Sequence, residues 1–150
     1  MSELLKDYKV QIPCDVAWGE MDSFNHVNNI YYFRYFETGR IHYFLKIGLM
    51  DHFEKNQIGP ILHSTSCRYR RPLTFPDHIT IGVRTSALFE DRFVHHYRIV
   101  SESQGAIVAE GEATTVTYDY SRLQKAPVPT PVIRAIEKLD GVKLQKRPAR

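Results

Sequence analysis

The chain has 150 residues, 43% of them hydrophobic and 25% charged, and a formal net charge of +3. That length suits one domain, residues 1–150, with a single sizeable core, and that composition excludes a disordered or fibrous habit. No apolar run approaches the roughly 20 residues that span a bilayer, and the N-terminus MSELLKDYKV sets acids beside its lysines with no apolar signal core, so a cytoplasmic protein is expected.

Residues 8–17 (YKVQIPCDVA) alternate loosely, with Val10, Ile12, Cys14 and Val16 on one side. This predicts a strand whose Pro13 belongs at a sheet edge or a bulge. A polar, acidic loop follows, and Asn28 suits the N-cap of a long helix because its side-chain amide accepts from a free backbone N–H. From there Ile30, Phe33, Phe36, Ile41, Phe44 and Leu45 share one broad face at about 100° per residue. Arg34, Thr38, His42 and Lys46 lie opposite. Glu37 then projects near the middle of the apolar face, where a carboxylate is costly unless paired, hydrogen-bonded or protonated. Gly48 and Asp51 permit a break, and residues 51–55 add a short helical turn ended by Gly59-Pro60.

Four longer strands are predicted next, at 61–70, 78–89, 92–102 and 105–119. Ile79, Ile81 and Val83 alternate in the second; Phe93, His95, Tyr97 and Ile99 alternate in the third. The turns between them are short enough for antiparallel hairpins. Residues 126–131 (APVPTP) read as a proline-stiffened linker. Thr130 then caps a short helix with Pro131 at its first position and Ile133, Ile136 and Leu139 on one side. Strand, helix, four strands and a last helix make an α+β fold, the long helix packed on one antiparallel sheet.

Several chemistries find no support. Cys14 and Cys67 are too few for a disulfide framework and read as reduced, packed thiols. His63, His95 and His96 have no metal-ligand spacing, so no metal is expected. There is no Gly-rich phosphate loop and no Gly-x-Ser-x-Gly elbow, and no cofactor is expected. The basic tail Lys143, Lys146, Arg147 and Arg150 lacks the alternating aromatics of a nucleic-acid platform, so neither nucleic acid nor membrane is an expected partner. A second basic group, Arg68, Arg70 and Arg71, lies in the body of the chain and suits an anionic ligand.

The stretch from Trp18-Gly19-Glu20-Met21-Asp22 through Asn25-His26-Val27-Asn28-Asn29, followed by Tyr32-Phe33-Arg34-Tyr35-Phe36-Glu37, resembles the 4-hydroxybenzoyl-CoA thioesterase branch of the hotdog superfamily. That branch includes the YbgC-like acyl-CoA thioesterases. Tyr69-x-x-Pro72-Leu73 looks like its second, weaker signature. The resemblance implies a hotdog fold, one long helix wrapped by a curved antiparallel sheet of about five strands, assembled as a dimer or tetramer. It implies hydrolysis of an acyl-CoA thioester with Asp22 as nucleophile or as the base that activates water. It places the Asn29 backbone N–H at the thioester oxygen and Glu37 at a helix position where relatives often carry an acid near the substrate. His26 matches a loop histidine implicated in catalysis in plant acyl-ACP thioesterases. Asn28 and Tyr32 belong to the expected substrate side, although Asn28 also serves as a cap and Tyr32 as wall. Asn25 stands where the signature usually has Gly, and Asn tolerates a left-handed backbone better than most residues. Residues 88–92 (LFEDR) lack the basic run that some relatives place there for the CoA phosphates, so Arg68, Arg70 and Arg71 are the expected substitutes.

The chemistry also stands without the resemblance. Thioester hydrolysis needs a carboxylate near the carbonyl carbon and a donor for its oxygen, and free N–H groups at a helix start supply the donor. Asp22 lies seven residues before Asn29, within reach of one carbonyl. Two alternatives remain open, an acyl-ACP thioesterase and a non-catalytic acyl-CoA binding module. The acyl group is not specified.

Overall fold

A computed structural model describes residues 2–146. Arg147 and Arg150 of the basic tail lie outside the described residues. A 3-10 turn at Ser2–Leu5 leads into β1 (Val10–Asp15), and a second at Trp18–Glu20 precedes α1 (Ile30–Lys46) and α2 (Leu49–Asn56). Then come β2 (Ile58–Tyr69), β3 (His78–Phe89), β4 (Arg92–Ser101) and β5 (Ala106–Asp119). Two-residue β6 (Gln124–Lys125) and β7 (Leu144–Gln145) flank α3 (Thr130–Asp140). The five long strands run in the order β1-β3-β4-β5-β2, with β6 paired to β5 and β7 to β3. Every pairing among the long strands is antiparallel. The α+β arrangement is thus the expected one. Pro13 sits on edge strand β1, where its missing N–H costs no ladder bond.

Helix α1 lies on β3 at Gly39, where an added Cβ would come within 2.6 Å of Val83 Cγ2. Only a residue without a side chain permits that approach. Phe36 stacks on Tyr97 of β4 with ring centroids 4.6 Å apart. Around this contact Tyr32, Tyr35, Tyr43 and Phe44 meet Ile79, Ile81, Phe93 and Ile99 in one core.

The buried face of α1 differs from the expected one. Its buried positions are 32, 35, 36, 39, 43 and 44, while Ile30 and Leu45 are each 61% exposed. Tyrosines turn inward because their hydroxyls find partners there. Tyr35 donates to Glu20 Oε1 at 2.7 Å; Tyr43 donates to Asp140 and accepts from Thr85 Oγ1 at 2.6 Å. Glu37 is therefore no buried misfit: its side chain is 54% exposed and lies 3.9 Å from Arg34.

Three smaller expectations are also corrected. Residues 126–131 are packed, not a free linker: Ala126 and Val128 are buried, and their N–H groups donate to Thr117 and Glu90 carbonyls at 3.0 and 2.7 Å. Thr130 is the first residue of α3, flanked by Pro129, rather than its cap, although Pro131 keeps its place in the first turn. Helix α2 begins after Gly48 (φ +76°) and ends at Gln57 (φ +61°), and Gly59-Pro60 already belongs to β2.

Candidate active site

The loop between β1 and α1 is built by its own hydrogen bonds. An antiparallel bridge joins Met21 and Val27, and the Asp22 N–H donates to the His26 carbonyl at 2.8 Å. Closing so tight a turn requires one left-handed residue, and Asn25 takes it at φ +62°. Glu20 fixes the loop to the helix: its Oε1 accepts from the Ala17 N–H at 2.8 Å and from Tyr35, and its carbonyl accepts the Asn28 N–H at 2.9 Å. The Val27 N–H donates to the Leu73 carbonyl at 2.9 Å, tying the loop to the connection between β2 and β3.

Asp22 is oriented by this loop. Its Oδ1 accepts from the Phe24 N–H at 2.8 Å and from the His26 N–H at 3.4 Å. Among the described residues Oδ2 accepts no hydrogen bond, so one carboxylate oxygen is held and the other is free. The first N–H groups of the helix are mostly taken. Ile30 donates to Asn28 Oδ1 at 3.2 Å, Tyr31 to the Asn28 carbonyl at 3.0 Å and Tyr32 to the Asn29 carbonyl at 3.2 Å. The Asn29 N–H has no acceptor among the described residues. It stands at the positive end of a 17-residue helix.

Asp22, His26, Asn29, Tyr32, Arg70 and Arg71 line one cleft of about 360 Å³, together with Val27, Tyr69 and Pro72. Burial pushes the Tyr32 hydroxyl up to about 12, so it is protonated at neutral pH. The remaining expected site residues are elsewhere. Asn29, not Asn28, holds the N-cap position of α1; Asn28 sits one residue earlier, spends its Oδ1 on the Ile30 N–H and does not line the cleft. Glu37 lies in a separate hollow along α1 with Ile30, Phe33, Arg34, Arg40 and Leu62. The three arginines do not act as one group. Arg68 and Arg70 border a hollow around His96 and Glu110, and Arg70 pairs with Glu110 at 3.1 Å. Only Arg70 and Arg71 reach the Asp22 cleft.

Two residues outside the expected set support the site. The Tyr69 hydroxyl donates to the Asn29 carbonyl at 3.3 Å, and its ring packs edge-on against Tyr32 at 4.9 Å. Its signal was the Tyr69-x-x-Pro72-Leu73 pattern. Glu20 is the other, an acid of the loop signature whose work is positional. Burial pushes the Cys67 thiol up to about 11 and the Cys14 thiol upward as well, so neither supplies a thiolate at neutral pH. Among the described residues no group of three or more His, Cys, Asp or Glu is placed to hold a metal ion.

The family model described as the thioesterase-like superfamily matches residues 16–136. The uncharacterized protein YsmA of Bacillus subtilis (strain 168) is 37% identical over 82 residues, 55% of this chain and 54% of YsmA, so the match spans about half of each. A thioesterase from Thermus thermophilus, solved in complex with coenzyme A and Zn, superposes with a TM-score of 0.79 at 26% identity, covering 96% of this chain and 99% of the other. The SAV2348 protein of Staphylococcus aureus, solved in complex with CoA, superposes with a TM-score of 0.83 over 89% of this chain and 85% of its own. At 14% identity that likeness is one of fold. The match across residues 16–136 and the helix wrapped by an antiparallel sheet agree: the chain belongs to the thioesterase-like superfamily and has the hotdog fold.

Proposed function

We propose that the protein is a cytoplasmic thioesterase that hydrolyses an acyl-CoA to the free acid and CoA. The observation that carries this reading is the meeting of Asp22, His26 and the unpartnered Asn29 N–H on one cleft edged by Arg70 and Arg71. The thioester carbonyl sits between Asp22 and the helix start. Its oxygen takes the Asn29 N–H, and the helix dipole favours the negative charge that develops there. Asp22, held through Oδ1, offers Oδ2 as nucleophile or as the base that deprotonates water. Water adds to the carbonyl carbon directly, or Oδ2 adds first to give a mixed anhydride that water then cleaves; the C–S bond breaks, and the CoA thiolate leaves and takes up the proton. His26 is a supporting polar group and Tyr32 walls the reacting end, while Glu37 stays outside this cleft in the hollow along α1. Arg70 and Arg71 meet the anionic end of the substrate, and Arg68 stays in the separate hollow at Glu110. The complex of a similar chain with coenzyme A supports this substrate class.

Self-association belongs to the reading. Ile30, Ile41 and Leu45 on α1 and Ile61 and Leu62 on edge strand β2 are exposed apolar residues, the pattern of a surface that pairs with a second copy. A screen of acyl-CoAs by free-thiol release, with the same acyl groups on acyl carrier protein in parallel, tests the activity. Turnover of acyl-CoA supports it. Turnover only on the carrier protein moves the substrate class, and saturable binding without turnover replaces the enzyme by a binding module.

A further inference from the structure

Arg70 borders two hollows. One is the Asp22 cleft; the other, of about 350 Å³, opens beside His96 and Glu110. That second hollow is on the face of the sheet away from α1, because His96 alternates with Tyr97, whose ring stacks on Phe36 of the helix. Between the two, β2 ends at Tyr69 and the chain turns, the N–H groups of Arg70 and Arg71 both donating to the Val108 carbonyl at 2.8 and 3.1 Å. This fixes the Arg70 backbone. Glu110 fixes its side chain, Arg70 Nε donating to Glu110 Oε1 at 3.1 Å. The other carboxylate oxygen is committed to β4: Oε2 lies 3.5 Å from His96 Nε2 and 3.6 Å from Arg98 Nη2. Those two partners are themselves held. The Tyr8 hydroxyl meets His96 Nδ1 at 2.7 Å, and Arg98 Nη1 donates to the Leu4 carbonyl at 2.9 Å. The Glu110 side chain is only 18% exposed, so its bond to Arg70 is not one of the loose surface pairs that contribute nothing measurable.

That bond uses one donor of the guanidinium. Among the described residues Nη1 and Nη2 of Arg70 have no hydrogen bond. An arginine held through Nε presents those two nitrogens as a fork, the shape that meets phosphate oxygens in pairs. The fork keeps its positive charge towards the cleft, because Arg98 already faces the Glu110 carboxylate. We propose that Glu110 is a positioning residue that holds Arg70 at the edge of the Asp22 cleft with its fork free for a phosphate of CoA. An unheld arginine gives up its rotamer freedom at the moment of binding; Glu110 shifts that loss to folding. The inference rests on the thioesterase reading and adds an acid that lies outside the cleft and acts through an arginine at its edge.

The test titrates CoA calorimetrically into the wild type, Glu110→Ala, Arg70→Ala and the double variant. Beside it, KM and kcat are measured for an acyl-CoA that the free-thiol screen finds turned over and for the same acyl thioester of pantetheine, which carries no phosphate. Glu110→Ala should bind CoA about 3- to 10-fold more weakly, the cost of ordering one long side chain. KM for the CoA thioester should rise by the same factor, with kcat kept and the pantetheine thioester unaffected. Arg70→Ala should lose at least as much, and adding Glu110→Ala to it should bring no further loss. A Glu110 loss that persists in the Arg70→Ala background, or that falls equally on the pantetheine thioester, makes Glu110 a structural residue and overturns the proposal. CoA binding left unchanged or tightened by Glu110→Ala overturns it as well. Those results leave the hydrolase standing. The expected binding pattern without turnover removes the hydrolase and keeps Glu110 in its role. A wild type that neither binds CoA nor cleaves its thioesters removes both.

Discussion

Replacing His95 by leucine removes a buried group that the fold leaves without a partner. The imidazole is fully buried, and neither ring nitrogen has a hydrogen bond among the described residues. The rings of Tyr43, Phe93, Phe44 and Tyr97 surround it, with centroids 4.4, 5.2, 5.9 and 6.0 Å away. Burial, helped by the charge of Arg40, pushes its pKa down to about 3. The unfolded chain binds this proton near pH 6.5 and the folded chain only near pH 3. Between those values the unfolded state holds more protons, so the contribution is full above 6.5 and is lost as the pH falls towards 3. From pH 7.5 to 5.0 one such group costs about 2 kcal/mol, the slope approaching about 1.4 kcal/mol per unit. Urea unfolding of the wild type and the His95→Leu chain at both pH values checks this. The wild type should lose about 2 kcal/mol more than the variant. His78, raised by Asp15, and His96, lowered mainly by burial, titrate in both chains and cancel in the difference. At pH 7.5 the variant gains the roughly 1–3 kcal/mol of an unsatisfied buried polar group, offset by up to about 1.5 kcal/mol of imperfect packing. Identical pH dependence in the two chains refutes the reasoning.

Other outcomes follow from the same contacts. Gly39→Ala gains about 1 kcal/mol of helix propensity but forces a methyl into Val83, costing about 1–3 kcal/mol, so denaturant unfolding should show a net loss that Val83→Ala partly restores. Tyr35→Phe deprives Glu20 of its 2.7 Å donor and should cost about 1–2 kcal/mol of stability, read as a lower urea midpoint. Leu62→Asp places a charge in the exposed apolar strip and should lower the mass seen by sedimentation; an unchanged assembly removes β2 from the proposed contact.

Much of the fold was legible because sheet period and turn chemistry are local signals. The alternation of Ile79, Ile81 and Val83 gave β3 its bounds, and Pro13 pointed to the edge it occupies. Asn25 was readable in the same way, since a tight loop at the signature's glycine needs a left-handed residue. The phase of α1 was not, because apolarity placed Ile30, Ile41 and Leu45 inward and left the tyrosines undecided. What turns Tyr35 and Tyr43 inward is Glu20, Thr85 and Asp140, partners far along the chain. The misplacement of Glu37 followed from that phase alone. Sequence proximity likewise grouped Arg68 with Arg70 and Arg71, whereas the end of β2 at Tyr69 sends Arg71 to the Asp22 cleft and Arg68 to the hollow at Glu110. The loop signature brought Asp22, His26 and Asn29 together on paper and in space; Tyr69 was marked by the weaker Tyr69-x-x-Pro72-Leu73 pattern, but its bond to the Asn29 carbonyl is a tertiary contact that no local pattern gives.

The most direct measurement is free-thiol release from an acyl-CoA by the wild type and by Asp22→Asn, with thermal unfolding run on both. Asparagine preserves the Oδ1 acceptor for the Phe24 N–H but removes the charge and the basicity. A fall in kcat of about 10³-fold or more at an unchanged unfolding temperature is the predicted result. Turnover equal to wild type in that variant would contradict the account.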